Sequence, residues 1–153
     1  MTRSQHLHLN VEYETSVRES AKACEVLGIN EVTEFEPVEC CQLFYNTDMM
    51  QRIEDVIYKY QIDTVFMHYV DDMNQDHIEA SKLCLTAARH CENIFFYQSN
   101  MYQLTHQFNP TFYVDISDYI DKKEEALAQY TGDHNRNNAL CQTNMVRNHI
   151  WGY

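Results

Sequence analysis

Glycine and proline are scarce in this chain, three and two among 153 residues, which argues against a loop-rich scaffold. Positive charge is short as well: 11 Lys and Arg face 23 Asp and Glu, for a net charge of −12. Without a basic cluster, that balance opposes binding to nucleic acid phosphates or to anionic lipid. No apolar run approaches the roughly 18 residues of a spanning helix, and the polar N-terminus lacks the hydrophobic segment of a signal peptide. The expectation is therefore a cytoplasmic protein with no membrane or nucleic acid partner. Six cysteines, at 24, 40, 41, 84, 91 and 141, include no C-x-x-C, so neither a zinc ribbon nor a thioredoxin-like pair is spelled out. Reduced, mostly buried thiols are the expected state.

What is present is the material of a folded domain. Hydrophobic residues make up 44% and charged residues 22%, and the length suits one domain, taken here as residues 1–153. Residues His6 to Tyr13 alternate in the manner of a short strand, or form a surface loop. Val17, Ala21, Cys24 and Leu27 recur at helical spacing up to a stop at Gly28. A short strand is predicted at Val32 to Phe35, then a loop carrying Cys40 and Cys41. Asp48 is placed to cap a helix with the stripe Met49, Ile53, Val56 and Tyr60. Thr64 to Met67 reads as a strand buried on both faces, and His77 to His90 as the following helix. Ile94 to Tyr97 and Thr111 to Val114 read as further strands, Ser117 as the cap of a helix reaching Tyr130, and Ala139 to Ile150 as a last helix. Alternating helices and strands predict an α/β fold: a Rossmann-like three-layer sandwich around a mostly parallel sheet.

The chemistry concentrates in Asp72-Met73-Asn74-Gln75-Asp76-His77, where loops at the carboxyl ends of parallel strands gather ligands. Three readings compete. Asp72, Asn74 and Asp76 can simply cap the helix that follows and complement its dipole. Asp72-x-Asn74-x-Asp76 matches the opening of a calcium loop, but His77 stands where that loop needs Gly and Leu83 where it needs Glu. Alternatively His77 supplies an imidazole to a transition metal or zinc, with Asp76 or Asn74 beside it. Cys84 and Cys91 lie about 10 and 21 Å further along the helix axis and cannot share that ion. His68, at the strand end, could reach the same cleft, although a lone strand histidine is more often structural.

These residues resemble the LmbE-like family, also called PIG-L or GlcNAc-phosphatidylinositol de-N-acetylase-like. Arg18-Glu19 through Leu27-Gly28 is similar to the family's helix ending in L-G, and Ile62-Asp63-Thr64-Val65-Phe66 to its P-D-x-V-F strand. Asp72 to His77 is similar to its second metal motif. Pro110 to Ser117, with Lys123 and Ala126-Leu127, is similar to its P-x-x-Y-V-D-I-S strand and K-x-x-A-L helix. The likeness runs over roughly residues 14 to 130.

The resemblance implies zinc-dependent hydrolysis of an N-acetyl group from an amino sugar or sugar conjugate. His77 would be a zinc ligand, Asn74 would face the developing oxyanion, and Asp76 would orient an imidazole or hold the loop. Asp72 would serve as a loop or cap residue. Arg18 would stand in for a substrate-binding arginine, one that members carry where this chain has Ser16. The family's opening H-P-D-D-E, which supplies two zinc ligands and the general base, does not occur here. The chain is thus expected to lack the first βα units and to show little or no activity alone. An uncovered sheet edge or helix face would favour a homo-oligomer or another partner. The alternative is a non-catalytic α/β binding or interaction module derived from the deacetylase fold.

Overall fold

A computed structural model describes residues 2–3, 13–30, 35–36, 38–99, 106–131 and 139–152. In chain order these form β1 (Thr2–Arg3), α1 (Tyr13–Leu27), β2 (Val38–Glu39), α2 (Thr47–Lys59), β3 (Thr64–His68), α3 (Gln75–Ala87) and β4 (Asn93–Tyr97). A short 3-10 turn (Ser117–Tyr119), α4 (Ile120–Leu127) and α5 (Ala139–Trp151) complete the order. The segments predicted as strands at His6 to Tyr13 and Val32 to Phe35 lie largely outside the described residues, and Tyr13 itself opens α1. No helix among the described residues is long and apolar enough to cross a membrane.

The chain divides into two compact units, residues 1–2 with 37–109 and residues 3–36 with 110–153. In the first, β3 and β4 are parallel, in register from Thr64 opposite Asn93 to His68 opposite Tyr97. Parallel neighbours need a crossover, and α3 provides it, packing on β3 while α2 packs on α3. This is the α/β, Rossmann-like arrangement that the alternating pattern predicts.

Small residues let α3 approach the strands closely. Ser81, Ala87 and Ala88 are buried, Leu83 is 1% exposed, and Met67 of β3 is 3% exposed. The Ser81 hydroxyl donates to the His68 carbonyl at 2.9 Å, binding the helix to the strand's last residue. Phe66 points the other way, as strand alternation requires, stacks on Phe95 with ring centroids 5.2 Å apart, and remains 66% exposed. The expected burial of both strand faces therefore holds for the face under α3 and not for the face bearing Phe66.

Local chemistry sets the helix ends. Asn46 rather than Asp48 caps α2: its side-chain oxygen accepts the Met49 N–H at 2.8 Å, while Asp48 sits inside the first turn, where it complements the dipole. Gly28 ends α1 at φ +72°, and Ile29 N–H returns to the Cys24 carbonyl at 2.9 Å.

In the second unit α1 packs on α4, which also meets α5. Glu19, 4% exposed, accepts from the Thr131 N–H at 3.0 Å and hydroxyl at 2.8 Å. Lys123 donates to Asn148 at 3.1 Å. Thr111 to Val114, expected as a strand, is irregular and exposed. A strand needs a neighbour to complete its ladder, and none of the described strands pairs with it. Ser117 is also not the helix cap: it donates its N–H to Asp115 at 2.9 Å within a 3-10 turn, and Tyr119 stands at the cap of α4. Of the six thiols only Cys141 is buried, and none is in a disulfide.

Leu83→Ala should cost about 2–5 kcal/mol in urea unfolding, whereas Phe66→Thr should cost roughly 1 kcal/mol or less. Equal losses would contradict the assignment of core and open faces.

Candidate functional site

The polar stretch after β3 is organised by one buried carboxylate. Asp72 is 4% exposed, and its Oδ1 accepts the Asn74 N–H at 2.8 Å, which turns the chain from the strand into α3. Asn74 then caps that helix, its side-chain oxygen accepting the N–H groups of Asp76 at 2.9 Å and His77 at 3.3 Å. The capping reading of the stretch thus holds for Asn74.

The other Asp72 oxygen faces the site. Its Oδ2 lies 3.0 Å from His77 Nδ1 and accepts the Ser99 hydroxyl at 3.1 Å, while the Ser99 oxygen is 3.2 Å from the same imidazole nitrogen. The His68 ring lies flat on that of His77, with centroids 3.9 Å apart and planes 9° apart. Beyond it, the Tyr97 hydroxyl is 3.4 Å from His68 Nε2. His68 and Tyr97 end the paired strands, Ser99 follows β4, and His77 rises from the first turn of α3. All sit at the carboxyl edge of the parallel pair, where α/β folds place ligands.

Protonation follows from these contacts. Burial alone would raise the Asp72 carboxyl. Hydrogen bonds from the Asn74 N–H, from His77 and from Ser99 outweigh it and hold the group below the usual carboxylate range. With Asp72 ionised, Nδ1 is the His77 nitrogen that donates to it, so in the neutral form of the ring the lone pair lies on Nε2. Burial, and then the neighbouring His77 imidazole, push His68 down to about 4 against the pull of Asp72. His68 is neutral near pH 7, and its buried Nδ1 has no hydrogen-bond partner. Burial, followed by Cys84 and Asp72, raises the Tyr97 phenol.

His68, Asp72 and His77 form a candidate metal-ligand group, with one donor atom from each within 4.8 Å of the others. The geometry restricts how they can act. An imidazole binds a metal in its ring plane, and two rings stacked at 9° share no in-plane point between them, so His68 and His77 cannot hold one ion without a ring turning. Asp72 Oδ2 already serves His77 and Ser99. As arranged, the cluster aims one donor, His77 Nε2, and supports it with an orienting carboxylate and a stacked neutral ring. It is not a nucleophilic triad either, because Ser99 and Asp72 meet the same nitrogen of His77 instead of opposite ones.

The residues singled out from sequence are distributed unevenly. His77 is at the centre, and Asn74 lies beside it as the cap. Asp76, 5% exposed, turns to the preceding loop, where its Oδ2 accepts the Cys41 N–H at 2.9 Å. The carboxylate on the imidazole is that of Asp72, expected as a loop or cap residue, while Asp76, expected either to orient an imidazole or to hold the loop, makes a loop contact. Arg18 is exposed on α1, in the other unit, 3.5 Å from the Thr15 hydroxyl. Ser99 and Tyr97 were not foreseen. The available signal was their position at and just beyond the end of a strand parallel to β3.

No protein-family model matches this chain, and no curated protein matches it. Solved structures do. A conserved protein of Thermus thermophilus, TT1542, aligns with a TM-score of 0.77 at 22% identity, over 99% of this chain and 72% of that one. GalB, the 4-carboxy-2-hydroxymuconate hydratase of Pseudomonas putida, aligns with a TM-score of 0.60 at 19% identity, over 87% of this chain and 64% of its own. At these identities the likeness establishes a shared α/β fold.

The depressed His68 value has a signed consequence in metal-free protein. Between about 4 and 6.5 the unfolded chain takes up a proton at this position that the folded chain does not, so stability falls as pH drops through that window. Urea midpoints measured across it should fall toward acid, and His68→Phe should flatten the slope. An unchanged slope would contradict the buried, neutral ring.

Proposed function

We propose that this chain is a domain of the LmbE-like, PIG-L-like kind, serving zinc-dependent removal of an N-acetyl group from an amino sugar or sugar conjugate, with His77 Nε2 as a zinc ligand. The observation that carries the reading is the 3.0 Å contact between Asp72 Oδ2 and His77 Nδ1. A carboxylate on one imidazole nitrogen is the arrangement that fixes the tautomer and orientation of a ligating histidine. The α/β fold and the placement at the strand ends support it, as does the resemblance of the Asp72 to His77 stretch to the family's second metal motif.

Bound zinc would acidify water and polarise the amide carbonyl. The chain's own residues would hold the geometry. Asp72 keeps the Nδ1 proton of His77, His68 sets the tilt of the ring, and Ser99 steadies the carboxylate. Asn74, with its oxygen committed to the cap, offers its amide NH2 group to the developing oxyanion. Asp76 holds the preceding loop. A small-molecule N-acetylated sugar would be the partner, in the cytoplasm.

A second reading, a non-catalytic binding module on the same fold, is favoured by the parallel stacking of His68 on His77. Among the described residues it leaves one in-plane imidazole donor at this cluster, where a catalytic zinc site generally has three protein ligands.

Zinc titration in a Cys40→Ser/Cys41→Ser background tests the ligand assignment. Binding should be weak, vanish in His77→Ala and fall about 10–100-fold in Asp72→Asn. Zinc binding indifferent to His77→Ala would overturn the proposal.

A further inference from the structure

The loop before α2 carries a second cluster that the His77 site does not use. Cys40 and Cys41 lie with their sulfurs 3.7 Å apart, not bonded, and one donor atom from each lies within 4.8 Å of an Asp76 carboxylate oxygen and of the other. Two contacts pin the loop to the first turn of α3: Cys41 N–H donates to Asp76 Oδ2 at 2.9 Å, and Gln75 Nε2 donates to the Cys41 carbonyl at 3.3 Å. Cys41 takes φ +63°, a left-handed conformation that non-glycine residues seldom adopt.

The informative group is Asp76. The residue is 5% exposed, and its second oxygen, Oδ1, is buried without a hydrogen-bond partner. A buried carboxylate oxygen left unpaired is costly, and native structures seldom keep one that has no use. One oxygen of this carboxylate lies within 4.8 Å of both sulfurs, which are weak donors as thiols and strong metal ligands as thiolates. We infer that Cys40, Cys41 and Asp76 form a binding site for a soft or borderline divalent cation of the zinc or cadmium type, separate from the His77 cluster.

The dimensions agree. Two sulfurs bound at about 2.3 Å to one tetrahedral ion sit about 3.8 Å apart, close to the separation of this pair. Thiols in van der Waals contact have a similar spacing, so the carboxylate is what singles out a cation. Drawing its oxygen into the coordination sphere takes a side-chain adjustment of roughly an ångström. The fourth position faces solvent beside exposed Cys41. On binding, each Sγ–H bond is replaced by an Sγ–metal bond, and the thiol protons leave to water. Without a cation, burial, and then Cys41 and Asp76, push the Cys40 thiol up to about 11, which keeps it protonated. Asp76 and His77 point about 100° apart around α3, so one helix turn presents two faces, each with its own donor set.

The test is a cadmium titration of the reduced full chain, followed by the thiolate-to-metal charge-transfer band in the ultraviolet. One equivalent of cadmium should produce the band at full height, also in His77→Ala. Cys40→Ser and Cys41→Ser should each abolish the high-affinity phase, and Asp76→Asn should weaken it by at least about tenfold, with circular dichroism showing that each variant is folded. No band, a band that survives in Cys40→Ser/Cys41→Ser, a band lost in His77→Ala, or an affinity unchanged in folded Asp76→Asn would overturn the inference. The outcome is independent of the His77 proposal, since each set of variants leaves the other cluster intact.

Discussion

The carboxylate of Asp72 is the constraint from which the site follows. One oxygen turns the backbone out of β3 by accepting the Asn74 N–H, and the other gathers His77 and Ser99. Strand end, helix start and the segment after the neighbouring strand are thereby joined at one buried charge. Such a charge is tolerable only because each oxygen is hydrogen-bonded, and those bonds keep it ionised against its burial. An ionised Asp72 fixes the proton of His77 on Nδ1, and the stacked His68, kept neutral by burial, adds packing without a competing positive charge.

The division of labour along the six-residue stretch follows from helix geometry. A helix start must satisfy its leading N–H groups, and Asn74 does so with a single oxygen. That releases Asp72 from capping and lets its carboxylate face the imidazole. Asp76, two residues after the cap, falls on a different side of the helix and meets the cysteine loop. Three polar residues that look interchangeable as caps thus take three roles because one precedes the helix, one is its extended cap and one lies in its first turn.

Much of the fold was legible where periodicity was strong. The α1 stripe with its Gly28 stop, the β3-α3-β4 succession and the terminal helix all follow from apolar spacing. Thr111 to Val114 misled because strand composition does not supply a pairing partner, and Asp48 misled because the true cap, Asn46, lies just before Thr47. At the site, His77 was legible from its place after a buried strand. The roles of Asp72 and Ser99 were not, because they depend on which side chains the parallel pairing of β3 and β4 brings together. The cysteine pair had no spacing motif to announce it. Its meaning rests on Asp76, a contact 35 residues away in sequence.

The position of a single proton on His77 decides whether Asp72 orients the ring, and long-range proton–nitrogen NMR of selectively labelled His77 measures it directly. With Asp72 intact, metal absent and the imidazole in its neutral form, the ring should be the Nδ1–H tautomer, and Asp72→Asn should shift that preference. A ring protonated at Nε2 with a bare Nδ1, or a tautomer indifferent to Asp72, would contradict the account.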